Sequence, residues 1–249
     1  MTIILYQFPI SHYCEKVRWA LDFKGLTYQT VNLLPGAHVG KIKELTNQTS
    51  VPVLQLDQQV LVGSSAILEF LEAHYPQPAL MPSDPVLKDQ VLDWEKRLDE
   101  VGGPAVRLFC YFHLLQTPKQ VTPLLTANQA FYKRWLFTLM FSKVEAVMKK
   151  RMGINAHNAA KAEKDILELL TEINERLVSN PFLVGDAFSR ADLTASALFA
   201  PMFQPEAYPV PWPKERDLVK PYQEWMQSNR PLLKPLETMY SNHRLSHTQ

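Results

Sequence analysis

Pro76, Pro78, Pro82 and Pro85 crowd into the stretch from His74 to Pro85, and this stretch divides the chain by pattern. Before it, strand and helix signals alternate; after it, only helical periodicity is found. The prolines therefore read as a linker over 77–85, between a first domain at 1–76 and a second at 86–249. In the first part, Ile3-Ile4-Leu5-Tyr6 is a β-type run and roughly 11–24 an amphipathic helix, stopped by Gly25 as a C-cap residue would stop it. Tyr28–Leu33 reads as a second strand, parallel to the first because a helix crosses between them. A short helix follows over about 39–45. Val53–Leu56 and Gln59–Val62 flank Asp57-Gln58 as a hairpin, and Ser64 or Ser65 caps a helix with Ile67, Phe70 and Leu71 on one face. The predicted order is βαβαββα, an α/β domain followed by an all-α one.

In the second part, Leu87, Val91, Trp94, Leu98 and Val101 repeat at spacings of four and three. Gly102-Gly103-Pro104 predicts a kink or break there. Apolar helices are expected over 108–115, over 131–150 with Trp135, Leu139 and Met148, and over 162–177. Eight prolines between Pro201 and Pro235 predict short helices separated by loops.

Composition excludes several function classes. The net charge is +1 with scattered basic residues, and the compact run Lys149-Lys150-Arg151 suits a helix C-terminus better than a nucleic-acid patch. Two cysteines, Cys14 and Cys110, make no disulfide framework and fit a reducing compartment. No charged N-terminal region followed by an apolar one marks a signal peptide. No apolar run approaches the ~20 residues a membrane helix needs. The expectation is a soluble, cytoplasmic protein with no nucleic-acid or membrane partner. The seven histidines are dispersed, and no Cys/His spacing suits zinc, so no metal site is expected.

The chemistry concentrates in Ser11-His12-Tyr13-Cys14-Glu15-Lys16-Val17-Arg18. Ser11 is the natural N-cap of the first helix. Free N–H groups and the helix dipole favour an anion there, and a hydroxyl at that point can donate to a thiolate. A plain cap is the other reading of Ser11. Cys14, one turn on, is either a redox-active thiol or a small core residue on the stripe with Val17 and Leu21. Ser64 and Ser65 form a second helix-start anion site or a simple cap.

This segment is similar to the Ser-Pro-Tyr-Cys-x-Lys-Val-Arg active-site segment of the cytosolic glutathione transferase superfamily. Three further stretches carry the resemblance in order: Ser50-Val51-Pro52-Val53-Leu54, Gly63-Ser64-Ser65-Ala66-Ile67-Leu68, and Phe182–Asp186 followed by Ser189-Arg190-Ala191-Asp192. The resemblance implies a thioredoxin-like first domain and a helical domain holding an electrophile site, with Arg107, Leu108, Tyr111 and Phe112 as candidates for it. It implies glutathione as co-substrate, a homodimer, and a detoxifying conjugation of the glutathione sulfur to a small electrophile. Ser11 would act on the sulfur. Val51, before a cis Pro52, would hold the cysteinyl part by its main chain. Ser64, with Ser65, would receive the γ-glutamyl carboxylate, and His38 the glycyl carboxylate, with Lys41 and Lys43 nearby. Gly63 stands where the family has an acidic or amide side chain, so one polar contact is missing. The alternatives are a thiol–disulfide or dehydroascorbate-type reductase using Cys14, and a non-catalytic binding protein that kept the fold. Ser189 and Asp192 read as a capping box with a structural role.

Overall fold

The computed structural model describes residues 2–244; the expected outer bounds at 1 and 249 lie outside them. The first domain runs β1 (Ile3–Gln7), α1 (His12–Phe23), β2 (Gln29–Asn32), α2 (His38–Thr46), β3 (Val53–Leu56), β4 (Gln59–Val62) and α3 (Ser64–His74). This is the order expected from the patterns. The sheet order is β2-β1-β3-β4, with β1 and β2 parallel and β3 antiparallel to both β1 and β4. Leu5 faces Leu54 across the β1–β3 ladder and Tyr6 faces Val53. Alternation sends Leu5 and Leu54 towards Val17, Leu21, Ile67 and Leu71 of α1 and α3. Tyr6 and Val53 meet Ile42 of α2 on the other face.

The second domain is helical: α4 (Pro85–Arg97), α5 (Gly103–Leu114), α6 (Pro118–Leu125), α7 (Phe131–Met152), α8 (Ala156–Ser179), α9 (Arg190–Phe203) and α10 (Lys220–His243). Among the described residues no helix is long and apolar enough to cross a membrane. Two expectations need correction. Gly102-Gly103-Pro104 does not break the path: a π turn over Leu98–Gly102 joins α4 to α5, and Pro104 falls in the first turn of α5, where its missing N–H costs little. The proline-rich end is not a set of short helices. Pro231 and Pro235 lie inside the single helix α10, whose Trp225, Leu233, Leu236 and Tyr240 are buried. The packed face outweighs the two absent backbone bonds. As expected, Ser189 and Asp192 form the capping box of α9, and the Asp192 carboxylate also accepts from the Leu183 N–H at 2.8 Å.

α1 is the hinge-pin of the molecule. Every residue from Cys14 to Asp22 is buried, because the sheet covers one side of the helix and the second domain the other. A helix so enclosed should be apolar all round, yet it carries Glu15, Lys16, Arg18 and Asp22. Each is neutralised by a partner. Lys16 Nζ lies 2.8 Å from Glu95 and 2.7 Å from Asp99, and Glu95 also holds Arg190 at 2.6 Å. Glu15 pairs with Arg18 and Arg244, each at 2.7 Å, and accepts from the Tyr240 hydroxyl at 2.7 Å. These pairs fasten α1 to α4, α9 and the end of α10.

Candidate functional site

Ser11 is the N-cap of α1 with extended backbone (φ −72°, ψ 121°), and its Oγ accepts from the Cys14 N–H at 3.3 Å. The loop that delivers it is tied by Arg18, which donates to Gln7 Oε1 at 2.5 Å and to the Pro9 carbonyl at 3.1 Å. Arg18 thus serves the position of Ser11 without lining the cavity. In front of Ser11 opens a cavity of about 620 Å³ between the first domain and helices α5 and α7. Of the expected site residues, it brings together Ser11, His38 and Val51; Cys14, Pro52, Ser64 and Ser65 do not line it. Arg107 and Tyr111 line it as well, while Leu108 and Phe112 do not.

The Val51–Pro52 bond is cis, and the Pro52 carbonyl accepts from the Gly63 N–H at 3.0 Å, so the loop before β3 is held against the start of α3. Gly63 has φ +90° and ψ 144°, and a Cβ there would meet nothing within 4 Å. Backbone conformation, rather than space, favours glycine at this point. Ser64 is the buried first residue of α3, and no side chain caps that helix. Ser65 is engaged elsewhere: its hydroxyl donates to Asp99 Oδ2 at 2.5 Å and accepts from Lys16 Nζ at 3.4 Å.

His38 begins α2, and both its ring nitrogens are occupied. Nδ1 accepts from the Gly36 N–H at 3.1 Å, which makes Nε2 the protonated nitrogen that donates to the Thr49 carbonyl at 3.0 Å. Burial lowers its pKa, so the ring is neutral at pH 7. His38 fixes the loop on either side of the cavity mouth and offers no free donor. Lys41 pairs with Glu44 at 3.6 Å on the surface.

Cys14 is fully buried, and burial raises its pKa, against the pull of Arg18 and of Ser11. An inert core thiol is the environment this describes. Cys110 is buried too, at 3.3 Å from the Tyr222 hydroxyl, with its pKa pushed up to about 12.

Sequence reasoning missed how the second domain completes the cavity. Tyr13 donates to the Asp99 carbonyl at 2.7 Å. Its ring lies so close to Gly103 that a Cβ there would stand 2.2 Å from the hydroxyl oxygen. The Gly-Gly pair was the available signal: it marks a close approach rather than a break. His12 is 4% exposed, and burial, then the nearby Arg107 charge, drives its pKa down to about 3. α7 contributes Met140, Lys143, Val144 and Arg151 to the far wall.

Comparison with known proteins adds the following. The N-terminal domain of glutathione S-transferase matches residues 5–79, and the C-terminal domain of glutathione S-transferase matches residues 134–228. Maleylacetoacetate isomerase of Pseudomonas aeruginosa is 46% identical over 88 residues, covering 33% of this chain and 42% of that protein. The chain aligns with only about two fifths of the length of the curated maleyl-type isomerases it matches. Tetrachloro-p-hydroquinone reductive dehalogenase of Sphingobium chlorophenolicum is 24% identical and aligned over 92% of this chain and 93% of its own. Among solved structures, a glutathione S-transferase of Methylobacillus flagellatus with glutathione bound has a TM-score of 0.61 at 19% identity, over 97% of this chain and 98% of that one. At that identity the likeness concerns the fold.

Proposed function

The chain belongs to the cytosolic glutathione transferase superfamily, and on that premise we propose that it transfers the glutathione sulfur to a small electrophile with Ser11 acting on the sulfur. The observation that carries this reading is Ser11 itself, a hydroxyl at a helix start on the wall of a 620 Å³ cavity. Its oxygen accepts from the Cys14 N–H, and its hydroxyl, which also lies within reach of the Cys14 thiol, would turn to donate to the incoming sulfur.

A free thiol has a pKa of about 8.5, so only a few per cent is ionised at neutral pH. Lowering it by ~2 units takes roughly 2.7 kcal/mol of preference for the thiolate. One charge-assisted hydrogen bond from Ser11 together with the α1 N-terminus is of that size. The Val51 main chain would hold the cysteinyl part beside Ser11. The uncapped start of α3 at Ser64 and Ser65 would take the γ-glutamyl carboxylate through its backbone N–H groups. His38 would act on the glycyl end through the loop it braces. The ionised sulfur then attacks the electrophile, and the protein's contribution beyond ionisation is to hold the two reactants together. We read the protein further as a cytoplasmic homodimer with a detoxifying role; light scattering should give twice the 28.6 kDa of one chain.

The test is Ser11→Ala. Glutathione titrated by thiolate absorbance on the wild type should ionise well below pH 8.5, and on the variant near its free value. Turnover should fall about 10–100-fold, the worth of one hydrogen bond to a charge. Unchanged turnover and an unchanged thiol pKa would remove Ser11 from the reaction.

A further inference from the structure

The cavity in front of Ser11 has apolar walls and charge of one sign. Arg107 of α5 and Lys143 and Arg151 of α7 line it, and no aspartate or glutamate does. Enclosed cations elsewhere in this chain are paired: Lys16, Arg18, Arg190 and Arg244 each meet a carboxylate within 2.8 Å. Among the described residues the three cavity cations have no carboxylate partner, and the Nε of Arg107 is buried without any acceptor. Lys143 and Arg151 are exposed to solvent and carry little such cost, but Arg107 is half-buried, and a polar group enclosed without a partner is costly, so its end of the cavity is suited to an anion brought in from outside. His12 adds a second unfilled group, buried at 4% exposure with an unpartnered Nε2 on the same wall.

The cations divide between the two ends of the cavity. Arg151 stands near His38, whose ring feels its charge, at the end assigned above to the glycyl carboxylate of glutathione. Arg107 stands at the Ser11 end, where its charge acts on His12 and Tyr13. Resting on the glutathione reading of this cavity, we infer that the electrophile is a small, largely apolar molecule bearing a carboxylate, and that Arg107 binds that carboxylate while the sulfur at Ser11 attacks. With an aryl chloride the step balances simply. The thiol proton has gone to solvent, the sulfur lone pair forms the new C–S bond, and chloride leaves with the electron pair of the C–Cl bond.

A matched pair of electrophiles tests this: 4-chloro-3,5-dinitrobenzoate and its methyl ester, each rate divided by the uncatalysed rate with glutathione. The wild type should favour the acid over the ester about tenfold in kcat/KM. Arg107→Gln should reduce the acid about tenfold more than the ester, the loss of one hydrogen bond to a charge. Equal losses for both substrates, or a wild-type preference for the ester, would overturn the role of Arg107. Binding of the unreactive 3,5-dinitrobenzoate and its methyl ester, followed by tryptophan quenching, separates this from the transferase reading. Tight binding of the acid alone, weakened by Arg107→Gln, upholds the anion site even if neither chloride is turned over. Equal binding of acid and ester refutes it even if both are.

Discussion

Substituting Gly103 by alanine tests whether the two domains are keyed together at Tyr13. The added methyl would lie 2.2 Å from the Tyr13 hydroxyl oxygen, 2.6 Å from Cζ and 3.2 Å from Cε2. Real contacts of this kind begin near 3.5 Å, so the ring must retreat by about 1 Å. Tyr13 cannot retreat freely, since its hydroxyl donates to the Asp99 carbonyl at 2.7 Å and its neighbours in α1 are buried. Overpacking of this kind costs about 1–3 kcal/mol and the lost hydrogen bond about 1 kcal/mol. A total of about 2–4 kcal/mol lowers Tm by roughly 5–15 °C in a chain of this size. Calorimetry on Gly103→Ala, Tyr13→Ala and the double variant gives the cycle. The clash exists only while Tyr13 is present, so Gly103→Ala should cost little in the Tyr13→Ala background. Additive losses, or a single variant within 2 °C of wild type, would refute the contact.

Lys16→Met leaves Asp99 without its cation and Glu95 with Arg190 alone, and should cost about 3 kcal/mol in urea unfolding; a loss under 1 kcal/mol would mean that the network is not holding α1. His12 has a folded pKa near 3 against an ordinary 6.5, so the unfolded chain binds the extra proton between these values. Its contribution is therefore full above pH 6.5 and is lost as pH falls, about 2 kcal/mol between pH 6.5 and 5, and His12→Asn should flatten that part of the profile. Glu15 works in a lower window. Burial raises its pKa, but Arg244 and Arg18 more than reverse this and hold it below the usual carboxylate range. Its stabilisation is present above about pH 4.5 and lost as pH falls through the folded value, so Glu15→Gln should blunt the steepest acid loss. Native Cys14 and Cys110 should resist iodoacetamide at pH 7 and label only on unfolding, read by mass spectrometry; rapid labelling of Cys14 would reopen its redox role.

The first domain was legible because its signals are local. Ser11 and Gly25 bracket α1, and the apolar-rich runs at Val53–Leu56 and Gln59–Val62 flank a two-residue turn. What failed was whatever depended on a distant partner. Gly63 read as a missing side chain, and only its φ of +90° shows a backbone requirement. Gly102-Gly103-Pro104 read as a kink or a break, and a π turn does interrupt the helix beside it, but nothing local announces that Tyr13 will press against Gly103. That the Ser65 hydroxyl is taken by Asp99, 34 residues away, was likewise not announced locally, and it leaves only the backbone N–H of Ser65 for an anion. In α7, Trp135 and Leu139, two of the apolar residues that marked the helix in the sequence, are 65% and 62% exposed. The buried seam runs instead through Phe137, Phe141 and Met148. That helix is apolar on two faces, and periodicity alone cannot tell which one the body covers.

The segment that carries the resemblance therefore does two jobs with different residues. Ser11, His12 and Tyr13 reach the cavity, whereas Cys14, Glu15, Lys16 and Arg18 point into packing and ion pairs. Glu15 links the segment to Tyr240 and Arg244 at the far end of the chain, and Lys16 links it to Glu95 and Asp99 beside the π turn. The loop before Ser11 is held by Arg18, and Arg18 is held by Glu15. Displacing Arg244 or Tyr240 would thus be felt at Ser11 through Glu15 and Arg18, with no contact between them and a ligand. A charged helix start becomes affordable inside this molecule only when the second domain supplies its counter-charges. The position of the hydroxyl that would meet the sulfur is consequently a property of the docked pair of domains, and not of the first domain alone.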